Sequence, residues 1–238
     1  MTAWLRRVRG DDSGMSLTEL LITMFITAIL IAGTATLVVG VSRTTGANVS
    51  RTEQVDAARV GVERMVRTLR TSAMQSQLGC TGCTEDAFIQ GADYGVQFYA
   101  NVDNASGSVG PSKVTYRIVP TGTGVGELRQ TVQKPNSPTP GASGYEYTMS
   151  SNIVDTVVAR NVRTDTGRAI FTYHDGSSAR IVPVGGFLTA TQLKGVLAIE
   201  LQLTVQTSDL RAKPTTYVQR LLLPNAQAVI RENQETTP

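Results

Sequence analysis

A stretch of 22 residues without a charge, residues 20–41, constrains this chain more than any other part of it. As a helix it would rise about 33 Å, enough to cross a hydrocarbon core of about 30 Å. Twelve of its residues are Leu, Ile, Val or Phe. Together these contribute about −5 kcal/mol to insertion, less what Thr and Gly subtract. Arg6, Arg7 and Arg9 precede the run and Arg43 follows it. The side with the excess of Lys and Arg, here the three arginines before the run, stays cytoplasmic, so the N-terminus is expected inside and everything after Arg43 exported.

A secretory signal peptide has a shorter apolar core, about 7–15 residues, followed by a small-residue cleavage site. Here the run is too long, and its end, Val38-Val39-Gly40-Val41, has no Ala-x-Ala pattern. A plain signal anchor fits length and charge but not Glu19, which lies against the apolar run. An acidic side chain costs up to about 3 kcal/mol at the centre of a membrane helix, and less near the interface.

Gly14-Met15-Ser16-Leu17-Thr18-Glu19-Leu20-Leu21 resembles the cleavage and methylation site of type IV prepilins and type II secretion pseudopilins. The family pattern is a short basic leader ending in Gly, an apolar first mature residue, Glu fifth after the cut, and an immediate hydrophobic helix. The resemblance implies a leader over residues 1–14, cut after Gly14 by prepilin peptidase, an integral-membrane aspartyl enzyme. It implies Met15 as the N-methylated new N-terminus. It also gives Glu19 a role in filament assembly, because the amine of a neighbouring subunit can neutralise that carboxylate in an apolar bundle, where an unpaired charge is expensive. Such a pair sets register more than it adds stability. Many major pilins carry a proline in the middle of this helix; here the stretch holds Gly33, Thr34, Thr36 and Gly40.

Beyond Arg43 the helix is expected to continue to about residue 78. Val55, Ala58, Val62, Met65, Val66, Leu69 and Ala73 recur at three- and four-residue steps and mark one face, with Arg59, Glu63, Arg67 and Arg70 opposite. Glu63 and Arg67 are spaced for an i,i+4 pair. Residues 56–70 are similar to the same region of minor pilins and J-type pseudopilins. Gly79 is available as a C-terminal cap. The two cysteines, Cys80 and Cys83, follow it. A redox pair needs a helix N-terminus, whose dipole stabilises thiolate; a position after a C-terminus favours a structural disulfide in an exported protein. Closing so short a loop contributes about 2 kcal/mol. A two-ligand metal clip is the remaining alternative.

After residue 84 short runs of period near two alternate with Gly, Pro, Asn and Asp, predicting strands at 95–100, 113–119, 127–132, 145–149, 153–158, 169–174, 180–184, 196–206 and 217–223. Asp175-Gly176 signals a hairpin. Residues 101–111 and 135–141 read as loops, and the tail after Leu223 has no strong pattern. The expected architecture is α+β: a long N-terminal helix, membrane-spanning in its first half (about 17–41) and amphipathic in its second, packed on an antiparallel sheet, pilin-like by resemblance. The expected organisation is a leader (1–14), the helix (15–78) and an exported β-rich domain (79–238).

Nothing in the sequence argues for catalysis, and no cofactor or metal is expected. The only histidine, His174, has no sequence-local partner and is expected as an exposed turn residue. Asp103, Asp165 and Asp175 lack calcium-loop spacing. Gly122-Thr123-Gly124-Val125-Gly126 has no Lys-Ser/Thr at phosphate-loop spacing. The net charge of +3, one unit of it in the leader, is no nucleic-acid signature. Arg117, Arg129, Arg160, Arg163 and Arg180 are scattered along the chain. The reading is a non-enzymatic minor pilin or pseudopilin of the inner (cytoplasmic) membrane that later joins a periplasmic or cell-surface filament. Its partners are prepilin peptidase, the membrane and other pilins. The alternative is an adhesin or DNA-uptake module on such a filament, with nucleic acid a disfavoured but open partner.

Overall fold

A computed structural model describes residues 15–80, 82–84, 86–102, 110–207 and 212–223. The leader with Gly14, Asp103 and the tail after Leu223 lie outside them. The chain divides into two compact units, 1–47 and 48–238, and the division falls within the first helix.

That helix, α1 (Leu17–Leu69), begins where Ser16 caps it: Ser16 Oγ accepts from the Glu19 N–H at 3.3 Å, and Leu20 N–H donates to Ser16 O at 3.1 Å. Every apolar side chain of α1 from Leu17 to Val41 is exposed. Thr23, Thr27, Thr34, Thr36 and Thr44 each donate their hydroxyl to a carbonyl one turn back, at 2.6–3.0 Å. These polar side chains therefore need nothing from solvent, which makes a Thr-rich helix compatible with lipid.

In the second unit α1 buries Ser50, Gln54, Ala58, Gly61, Val62, Met65, Val66 and Leu69, the three- and four-residue rhythm of one face. The expected stripe is corrected at its start: Val55 is 37% exposed and Gln54 is buried. The Gln54 amide bridges Thr207 at 2.9 Å and Thr215 at 3.1 Å, joining the helix to two strand ends, which an apolar side chain could not do. The expected Glu63–Arg67 pair is replaced by Arg59–Glu63 at 2.7 Å, also i,i+4.

α1 ends at Leu69, not near residue 78. Asn101 N–H donates to Thr71 O and Ala73 N–H to Tyr99 O, both at 3.0 Å, so strand-type bonds to the sheet capture the backbone that would have continued the helix. A short 3-10 turn, Gln75–Leu78, follows, ended by Gly79 in the left-handed region at φ 93°.

Among the described residues the sheet has nine strands: β1 (Phe88–Ala92), β2 (Gly95–Ala100), β3 (Ser112–Gly122), β4 (Val125–Gln133), β5 (Ile153–Arg163), β6 (Phe171–His174), β7 (Arg180–Ile181), β8 (Ala198–Val205) and β9 (Thr215–Leu222). Every pairing is antiparallel, in the order β1-β2-β3-β4-β5-β8-β6-β7. β9 pairs along the whole of β8, leaving the other edge of β8 to be shared by β5 and β6. Val62, Met65 and Leu69 from α1 join Phe98, Tyr116, Leu128, Phe171, Tyr173, Leu201 and Leu203 in one core between helix and curled sheet. The layout is α+β and pilin-like.

The predicted strand at 145–149 is not a strand. Asn136 holds it instead, its Oδ1 accepting from Thr148 N–H and Met149 N–H, both at 3.1 Å, while Tyr147 Oη donates to Pro111 O. β1 has no counterpart among the predicted strands, because its five residues include Gly91 and show no clean alternation. The predicted strand at 180–184 shrinks to β7 and an isolated bridge between Val184 and Phe187. A five-residue helix, α2 (Ala190–Lys194), follows.

Candidate processing and assembly site

The candidate residues at the N-terminus are Gly14, outside the described residues, and Met15 and Glu19, both exposed. Ser16-Leu17-Thr18-Glu19 places Ser at the helix cap and Glu three positions into the helix, the spacing of a capping box. That signal is legible in the sequence. A carboxylate in the first turn is also favoured by the partial positive charge of the helix N-terminus. Among the described residues the Glu19 carboxylate makes no hydrogen bond or ion pair, so it remains available to an external cation.

Downstream, Gly33 and Gly40 have no atom from outside their own stretch of helix backbone within 4 Å of where a Cβ would stand. Among the described residues their smallness serves no packing. α1 is long and apolar enough to cross a membrane, with a mean hydropathy of 2.3 over its most apolar window.

Cys80 and Cys83 are joined as a disulfide with Cα atoms 5.5 Å apart. Tyr145 secures the turn in front of it, its Oη donating to Leu78 O at 2.9 Å. This is a covalent closure beside the 3-10 turn, far in sequence from the N-terminal residues.

The five arginines do not form one stripe. Arg117, Arg129 and Arg160 come together on β3, β4 and β5, but around Glu127 and Asp155: Arg129 lies 2.7 Å from Asp155, and Arg160 2.6 Å from Glu127. Arg163 pairs with Asp165, whose carboxyl is held below its ordinary range chiefly by that hydrogen bond. Arg180 stands apart on β7. Cations already neutralised by carboxylates make a poor phosphate track.

His174 is half-buried rather than exposed: its Nδ1 lies 3.2 Å from Ser178 O, and its Nε2 is enclosed without a partner. Asp175 organises the β6–β7 hairpin, accepting from Ser177 N–H, Ser177 Oγ and Ala179 N–H. These bonds, led by the Ser177 hydroxyl, lower its pKa. Burial pushes the Tyr116 hydroxyl up to about 12 and raises Tyr147 and Tyr173 as well. Those phenols are structural, Tyr173 Oη for example donating to Ala92 O at 3.0 Å. Among the described residues no group of three or more His, Cys, Asp or Glu could hold a metal ion.

The chemistry that remains is that of an N-terminal segment: a capped helix start with a free carboxylate, followed by an apolar helix with its hydroxyls satisfied internally. No curated protein matches this sequence. An N-terminal methylation motif in this segment supports a type IV pilin-like protein processed by prepilin peptidase and assembling with other pilins, and with the apolar helix it supports anchoring in the inner membrane. Residues 9–35 match the family model of the prokaryotic N-terminal methylation motif, the hallmark of type IV prepilin-like proteins.

Proposed function

We propose that this chain is a minor pilin or pseudopilin, a structural subunit of a type IV pilus or a type II secretion-like filament. The observation that carries the reading is the methylation motif at residues 9–35, which spans the start of a helix whose apolar surface from Leu17 to Val41 is exposed among the described residues. The chain inserts with its N-terminus in the cytoplasm and its β domain exported. Prepilin peptidase cuts after Gly14, and the freed Met15 amine is methylated.

The cut places a cation at the start of α1, where the helix already carries partial positive charge. That amine therefore gains from a carboxylate, and an adjacent subunit's Glu19 supplies one as both leave the headgroup region for the apolar bundle. The Ser16 cap leaves the Glu19 side chain free for that role. The exposed glycines at 33 and 40 allow close approach of neighbouring helices. Cys80–Cys83 is a structural disulfide, made after export. The motif argues for a structural role over an enzymatic one.

Replacing Glu19 by Ala tests this. Membrane insertion and cleavage are expected to proceed as in the parent, while the amount recovered with sheared filaments, or with the partner pilins, falls at least tenfold if the lost pairing is worth about 1.4 kcal/mol. Incorporation at the parental level would remove the pairing role.

A further inference from the structure

The fold of the β domain leaves two complementary features without partners. The first is a projecting hairpin. Val184 and Phe187 exchange backbone hydrogen bonds at 2.9 and 3.4 Å around Gly185 and Gly186, whose φ angles of 66° and 91° suit the two-residue turn that glycine pairs favour. Its base is fixed. Gln192 Nε2 donates to Val182 O at 2.9 Å, Thr189 and Gln192 form the capping box of α2, and Leu188 N–H donates to Gly91 O at 2.8 Å. A segment so held has little freedom to fold its apolar side chains inward, and Val182, Val184 and Phe187 remain 59%, 67% and 51% exposed. Arg180 before it and Lys194 after it have no acidic partner among the described residues.

The second feature is a groove of about 430 Å³ between α1 and the bulged part of β5, where Asn161 takes a positive φ of 55°. Ala57, Val60, Val157 and Val158 give it apolar walls, and Val60 is 62% exposed. Two charged side chains border it. Arg160 is neutralised by Glu127, whereas Glu53 has no cationic partner among the described residues. The groove is thus apolar with one free negative charge; the hairpin is apolar with two free positive ones.

We propose that the hairpin of one copy docks into the α1–β5 groove of a second copy of this chain. The two surfaces belong to different elements and share no residue, so the contact is head-to-tail and need not close on itself. Contacts of that class propagate into helical filaments. The inference rests on the filament-subunit reading and adds a lateral, domain-level contact to it. Docking covers apolar surface that otherwise stays in water and sets Glu53 against the basic roots of the hairpin.

The test uses two full-length, differently tagged copies expressed together in the native membrane, one carrying Phe187→Cys and the other Val60→Cys, with a short thiol cross-linker. A mixed dimer is expected only when both variants are present, and neither variant alone should give one. Glu53→Lys in the groove copy should lower its yield about tenfold, and Arg180→Glu with Lys194→Glu in the hairpin copy should restore it. If both copies start at Met15 and co-purify with filament proteins yet give no mixed dimer, the docking is overturned and the subunit reading stands. If neither copy is processed or co-purifies, both fail together.

Discussion

Gly61 faces β5 and β8 where α1 lies on the sheet, and its replacement yields a sharp expectation. A Cβ there would stand 3.1 Å from Leu203 Cδ2, 3.4 Å from Ala159 Cβ and 3.7 Å from Val158 O. In Gly61→Ala only the end of the Leu203 side chain must yield. An overpacking cost of about 1 kcal/mol then opposes a gain of about 1 kcal/mol in helix propensity, and the net change stays within about 1 kcal/mol. Gly61→Val carries two further methyls into Ala159 and the β5 backbone, and its branched side chain forfeits part of the propensity gain. It should destabilise by roughly 2–3 kcal/mol, lowering Tm by about 4–12 °C for a domain of this size. Thermal unfolding of the detergent-solubilised chain, followed by near-ultraviolet circular dichroism of the core aromatics, reads this out. Leu203→Ala combined with Gly61→Val should lose at least about 1 kcal/mol less than the sum of the singles, since the second change vacates the space the first needs. Gly33→Val, with no atom within 4 Å, should leave Tm unchanged. An unaltered or raised Tm for Gly61→Val, or strict additivity with Leu203→Ala, would refute the close-packing argument.

The Asp175 carboxyl titrates lower in the folded chain than in the unfolded one, so its stabilisation is present at neutral pH and lost as pH falls through the folded value. Protection of the Ser177 and Ala179 amides, measured against their intrinsic exchange rates, should fall in that acid range and hold above it. Tyr116 shifts the other way: raised to about 12, it favours the folded state until the unfolded phenol ionises near 10, so stability should decline as pH climbs from there. Ultraviolet titration should show a phenol that ionises only near 12 or on unfolding. Thiol labelling of the protein taken from its membrane without reductant should modify neither Cys80 nor Cys83; two labelled thiols would contradict the disulfide. Its removal should cost no more than about 2 kcal/mol, because the closed loop is so short.

The parts legible in sequence were those governed by one strong local signal. An uncharged apolar run and an i, i+3, i+4 stripe specify α1 and its buried face, and alternation specifies β2, β4 and β8. The misreadings occur where a tertiary bond outvotes local preference. Gln54 replaces Val55 in the buried face because two strand ends need a polar bridge. Residues 71–73 leave the helix because the sheet offers their backbone partners. Residues 145–149 alternate like a strand but are held by the Asn136 side chain. α2 was announced by Thr189-x-x-Gln192, and the start of α1 by Ser16-x-x-Glu19, capping signals that hydrophobic periodicity alone passes over. The arginine–carboxylate network joins three strands, and its pairing depends on a register that no local pattern encodes.

The most direct test is the intact mass and N-terminal sequence of the protein recovered from its own membrane. The account predicts a chain starting at Met15, with one methyl group on its amine. A chain that keeps residues 1–14, in cells with an active prepilin peptidase, would contradict it and leave a membrane-anchored β domain without a filament role.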